Sequence, residues 1–185
     1  MALIPKGRLA AALLATLLFA FLLPALAGLD GSVRHGGERP VMASSEPVQL
    51  SGGTLVDELA ALPLTLPIGR AGWSDGALSL DLQVTDSAQP PGEVYLNIAD
   101  VLDFAFGRTD NVNQVLLRII AVDKWQGTSR LLLAADVRRG RWDASVRSAL
   151  LSLGSGPPTE PLRNLLRLRE SDLWKSGFRF LTPGD

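Results

Sequence analysis

The chain has 185 residues, 46% of them hydrophobic and 20% charged, with a formal net charge of −1, no cysteine and one histidine. Within this chain, that composition excludes disulfides, thiolate metal sites, a cysteine nucleophile and histidine-cluster metal binding, and gives no reason to expect nucleic acid as a partner. Charge is uneven: residues 70–136 carry five basic and nine acidic side chains, residues 137–185 nine basic and five acidic.

Lys6 and Arg8 precede an uncharged apolar run from Leu9 to Leu29. At ~1.5 Å per residue such a run makes a helix of about 31 Å, enough to span a bilayer core. Within it, Pro24 is followed by Ala25-Leu26-Ala27-Gly28, the small-x-small pattern of a signal-peptidase site at the Ala27/Gly28 bond. Residues 1–29 are therefore a signal peptide or a transmembrane anchor, and both readings stand. In either case Lys6 and Arg8 keep their flank in the cytoplasm and the chain from Asp30 onward lies outside. The expected location is the cell membrane with an extracytoplasmic C-terminal domain, or secretion if the chain is cut after Ala27.

Residues 30–52 are rich in Gly, Ser, Pro and charge and read as a flexible tether. His35 lies there between a charged residue and two glycines, without the rigid frame that catalysis requires. Residues 53–185 are expected to form a single α+β domain. Thr54-x-x-Asp57 resembles a capping box ahead of Leu55, Val56, Leu59 and Leu62, a short helix stopped by Pro63. Leu64, Leu66 and Ile68 alternate around Pro67 as an edge strand. After an Asp75-Gly76 turn, Leu78, Leu80, Leu82 and Val84 alternate with polar residues as a half-buried strand.

Glu93 to Arg108 carries Val94, Ile98, Val101, Leu102 and Ala105 at helical spacing, with Asn97, Asp100 and Asp103 on the expected wet side. Val115 to Val122 and Leu131 to Val137 read as a hairpin around Gln126-Gly127-Thr128. A second helix is capped by Asp143 and carries Val146, Ala149, Leu150 and Leu153. A last helical stretch with Leu162, Leu165, Leu166 and Leu168 leads to Trp174, Phe178, Phe180 and Leu181. The expected fold is thus a small β-α-β-β sheet with helices packed on one face, behind an N-terminal signal or anchor helix.

No P-loop, dinucleotide fingerprint, zinc spacing, calcium loop or G-x-S-x-G elbow occurs, and no cofactor or metal is expected. Strand alternation places Asp81, Arg118 and Asp136 on the sheet face opposite Leu80, Leu117 and Leu133, where they fit cross-strand ion pairs. An alternative role for Asp81 and Asp136 is as the paired carboxylates of a small cell-envelope hydrolase. An arginine between them would hold both ionised, which disfavours a general acid. The same face is expected to carry Leu116, Ile120, Val122 and Leu132. Leu116, Arg118, Ile120, Leu132 and Asp136 form the candidate interaction surface, covered either by the C-terminal segment from Leu162 to Leu181 or by a partner protein. Arg138, Arg139, Arg141, Arg163, Arg167 and Arg169 either pack over the acidic middle of the chain or meet anionic head groups or wall polymers. Trp73, Trp125, Trp142 and Trp174 read as caps of the core, with a sugar-stacking platform as the minor alternative.

The run Asp75-Gly76-Ala77-Leu78-Ser79-Leu80-Asp81-Leu82, a helix, and then Thr109-Asp110-Asn111-Val112-Asn113-Gln114-Val115-Leu116-Leu117-Arg118 resembles the spore-germination protein M type domain of spore-forming bacteria. The resemblance spans about forty residues; the lipoprotein cysteine and the paired repeat often seen in that family are missing here. It implies a noncatalytic envelope domain and carries over no functional residue. The expectation from the sequence is a noncatalytic domain of the bacterial envelope, engaged in protein interaction or assembly.

Overall fold

Alternation in the Leu78–Val84 segment sets the architecture. Two residues with positive φ, Asp75 (52°) and Gly76 (77°), close a two-residue hairpin between β1 (Ile68–Ser74) and β2 (Ala77–Val84). Positive φ at both central positions is the turn that matches strand twist, hence the Asp-Gly pair. Leu78, Leu80, Leu82 and Val84 are then inaccessible to solvent. Burying each leucine stabilises the fold by roughly 1.5–3 kcal/mol before entropy is counted.

The computed structural model describes residues 47–86, 88–123 and 127–177, all within one compact unit spanning Glu46–Asp185. The expectations for the signal or anchor at 1–29, including Ala27 and Gly28, and for His35, Trp125, Phe178, Phe180 and Leu181 lie outside the described residues. Among the described residues no helix is long and apolar enough to cross a membrane.

The fold is α+β. Helix α1 (Leu55–Ala60) precedes β1 and β2; α2 (Pro91–Asp103) then crosses over to β3 (Gln114–Val122), which is parallel to β2. Strand β4 (Ser129–Arg138) returns antiparallel, and after α3 (Ala144–Leu151) and α4 (Glu160–Leu166) the two-residue β5 (Arg169–Glu170) pairs with β4. Helix α5 (Asp172–Lys175) ends the described chain. The five strands stand in the order β1-β2-β3-β4-β5. The expected β-α-β-β unit is present, extended by one strand at each edge. Strand β1 begins at Ile68, past Pro67, whose missing N–H has no place in a ladder.

Six local expectations change. Thr54 does not build a capping box: its backbone is helical, its side chain does not cap α1, and its hydroxyl instead accepts from Ser51 N–H at 3.0 Å. Asn97 is not on a wet face but 1% exposed, because the chain at Thr65–Leu66 crosses over it. The helix read through to Arg108 ends its regular α turns at Asp103 and widens into a π turn over Phe104–Arg108. Leu168 lies beyond α4, after Arg167 has turned the chain through a left-handed conformation (φ 49°). Val48 and Leu50, expected in the tether, are bonded to the domain: Val48 bridges Thr109 in parallel, and Asn111 accepts from Leu50 N–H and donates to its carbonyl.

The sixth concerns the candidate surface. Strict alternation put Leu132 beside Leu116 and Ile120, but the β3–β4 register shifts between Ile119 and Ile120, pairing Ile119 with Leu133 and Ile120 with Leu131. The extra residue is Leu132, which is fully buried, while Leu131 is 42% exposed. A bulge breaks the period-two rule for one strand only, and no residue type in Leu131-Leu132-Leu133 signals where it falls.

Candidate functional site

With the register fixed, the residues opposite the core can be placed in rows across the sheet. Gln83, Ile120 and Leu131 form one row; Arg70, Asp81, Arg118, Ala134 and Arg169 the next; Gly72, Ser79, Leu116 and Asp136 a third; Ser74, Ala77, Gln114 and Arg138 a fourth. Leu116 remains 40% exposed and Arg118 is exposed, so this face meets solvent along β3. In the described part the C-terminal segment meets this face at β4, where Arg167 reaches Asp136, and leaves Leu116 and Arg118 of β3 exposed. Leu162, Leu166 and Trp174 are buried in the core, and the Trp174 ring meets Tyr95 of α2 edge-on at 5.8 Å.

Arg118 grips Asp81 with a two-pronged contact, Nε to Oδ1 at 2.7 Å and Nη2 to Oδ2 at 2.6 Å. Directly opposed register makes that geometry available without distorting either strand. The Asp81 carboxylate raises the Arg118 pKa, through the hydrogen bond first and its charge second. Asp136 has other partners: Gln114 Nε2 donates to Oδ1 at 2.6 Å and Arg167 Nη1 to Oδ2 at 2.9 Å. Two strand spacings and two residues of offset place the Asp81 and Asp136 Cα atoms about 12 Å apart. Paired glycosidase carboxyls sit within about 5–9.5 Å, and here each acid is turned onto its own guanidinium. Arg118 does not bridge them.

The arginines of the C-terminal third divide into two kinds. Arg139 is structural: its guanidinium donates to the carbonyls of Phe106 (2.8 Å), Val112 (2.9 Å), Thr109 (2.8 Å) and Ala105 (3.3 Å), closing the π turn and the loop after it. Arg163 lies between Glu170 and Glu160, which raise its pKa, and Arg167 reaches Asp136. Arg138, Arg141 and Arg169 make no ion pair or side-chain hydrogen bond among the described residues. The sequence signals charge in this segment but not which arginines are spent inside the fold.

Arg138, Arg141 and Arg167 line one recess of about 280 Å³ with Asp136, Asn164 and Leu165. A broader recess shares Asp136, Asn164 and Arg167 and continues toward Glu160, Arg163 and Arg169. Arg167 occupies the left-handed position after α4, where its N–H bonds back to Arg163 O. Glycine is the usual occupant of that position, and an L side chain there costs roughly 1–2 kcal/mol.

Asn97 and Trp142 are site-like features that serve the fold. Asn97 Oδ1 accepts from Thr65 N and Leu66 N, both at 3.0 Å, and its amide donates to Thr65 Oγ1 and Glu93 O. Trp142 Nε1 donates to Asp103 Oδ1 at 2.9 Å, while Arg147 takes the other oxygen. Trp73 Nε1 is buried without an acceptor among the described residues. Among those residues no group of three or more His, Asp or Glu side chains is arranged to hold a metal ion. No protein-family model, curated protein or solved structure matches the chain.

Proposed function

We propose that this is a noncatalytic domain of the bacterial envelope that works by protein interaction, delivered outside the cytoplasm by residues 1–29 and held at the membrane if they remain. The reading gathers the helices on one side of the sheet and leaves the other as the working surface. The observation that carries it is the uncovered row structure of that surface, with Leu116 and Leu131 about two-fifths exposed around the fixed Asp81–Arg118 pair. Exposed leucines scattered singly are ordinary, but Leu131 pairs directly with Ile120 across β4 and β3, and Leu116 lies on the other side of the Arg118 row. The partner that fits is a protein offering apolar side chains rimmed by acids, since Arg70, Arg138 and Arg169 border the patch without acidic partners of their own among the described residues. The resemblance of residues 75–118 to spore-germination protein M type domains supports an envelope setting and a sporulation-related role.

The test compares the full-length protein with a Leu116→Lys/Ile120→Lys variant in the native membrane. The expected result is a stoichiometric partner that co-purifies with the wild type and is lost from the variant, with the unfolding transition unchanged. A partner retained by the variant would overturn the assignment of this face, and a turnover abolished by Asp81→Asn would overturn the noncatalytic reading.

A further inference from the structure

The recess beside β4 has a chemistry of its own. Its three guanidiniums come from two separate parts of the chain, Arg138 and Arg141 at the end of β4 and Arg167 after α4. Arg138 ends β4, paired with Gln114 across the ladder. Arg141 closes the short 3₁₀ turn Arg139–Arg141, and the residue between them, Arg139, is clamped by four backbone carbonyls. The backbone presenting Arg138 and Arg141 is thus anchored while both side chains remain exposed and unpaired among the described residues. Arg167 enters from the other side, from a left-handed backbone position where glycine would be relaxed. A strained residue persists where its surroundings over-determine it, and such positions cluster at ligand sites.

Counting charges, Arg138, Arg141 and Arg167 against Asp136 leave the recess with two uncompensated positive charges. That balance matches a phosphate monoester or free phosphate, which carries about −1.5 to −2 near neutral pH. A carboxylate would leave one charge unanswered. Guanidinium forks suit phosphate oxygens, and Asn164 on the rim adds an amide donor. Asp136 acts as the resident counter-anion: it holds Arg167 in place until a phosphate competes for it.

We propose that the recess lined by Arg138, Arg141, Arg167 and Asn164 binds a phosphate group with two negative charges. The site shares Arg138 with the rim of the interaction face but none of its apolar residues, so loss of the partner through Leu116 and Ile120 and loss of phosphate through Arg141 can be told apart. The Leu116→Lys/Ile120→Lys variant, whose changes lie outside the recess, should bind phosphate as the wild type does.

The experiment is a titration of full-length protein in nonionic detergent with inorganic phosphate at constant ionic strength. In parallel, binding is measured to phosphatidylcholine vesicles with and without phosphatidic acid. Saturable one-to-one binding of inorganic phosphate assigns a soluble ligand, and binding confined to phosphatidic acid vesicles assigns a lipid phosphomonoester; both uphold the site. Arg138→Ala and Arg141→Ala should each weaken binding about tenfold or more, the worth of one charge-assisted hydrogen bond. Arg167→Gly should weaken binding while leaving the melting temperature unchanged or raised, since glycine relieves the backbone. Asp136→Asn keeps an acceptor for Gln114, frees Arg167, and should tighten binding. Failure of both probes to bind, or binding indifferent to Arg138→Ala and Arg141→Ala, overturns the proposal.

Discussion

Asn97 shows how much one side chain can organise. Its carbonyl is the acceptor for two consecutive N–H groups, Thr65 and Leu66, which leave α1 for β1 and have no ladder partner at that point. An unsatisfied buried donor costs about 1–3 kcal/mol. Asn97→Leu is therefore expected to lower stability by roughly 2–4 kcal/mol in urea unfolding, although it makes α2 more uniformly apolar. Tyr95 is the chain's one tyrosine, so its ionisation can be followed alone. Its hydroxyl donates to Gly156 O at 3.1 Å, and its pKa is pushed up to about 12, first by burial and then by the charge of Glu170. Raising the pKa of an acid favours its neutral form in the folded state. Tyr95 thus stabilises the fold below the ordinary phenol pKa near 10, and that contribution is lost as pH rises through about 12. Absorbance at the tyrosinate band should show one titration with its midpoint near 12 in the folded protein, falling toward 10 in urea; a folded-state midpoint near 10 would contradict the burial of this hydroxyl.

Among elements, the boundary after α2 is the most instructive. Phe104–Arg108 widens into a π turn, and the carbonyls of Ala105 and Phe106 accept from the Arg139 guanidinium. The same loop fastens Pro47–Leu50 through Arg108 O and Asn111. Arg139→Ala is expected to cost about 2–4 kcal/mol, and to raise amide exchange at Val48 and Leu50 as well as through residues 104–112. Exchange unchanged at Val48 would show that the N-terminal attachment is independent of this clamp. The sequence made β2, β3, the Asp75-Gly76 turn and the Asp143 cap legible because each carries its cause locally. Asp143 accepts from Ser145 N and Val146 N in the expected way. The β4 bulge, the Arg139 clamp and β5 were not legible, since each depends on a partner more than ten residues away. The Asp81–Arg118 pair was within reach of strand alternation, whereas the recess needed α4 to be placed against β4.

For the whole molecule, adjacent residues of β3 make opposite predictions. Leu117 is 1% exposed and Leu116 40%. Leu117→Ala should destabilise by about 2–5 kcal/mol, whereas Leu116→Lys should stay within about 0.5 kcal/mol of the wild type in the same denaturation series. Comparable losses for both would mean that the outer face is covered in solution.

The strand order has a further consequence, for how this chain comes to be folded. Each strand lies beside its predecessor in the sequence, from β1 through β5. A polypeptide that emerges N-terminus first, from a ribosome or through a membrane channel, therefore never has to hold a strand edge open beyond the next strand to emerge. The β1–β2 hairpin can close first, and the parallel β2–β3 pair waits only for the single helix between them. The sheet can grow by addition at one edge, in the direction in which the chain is delivered.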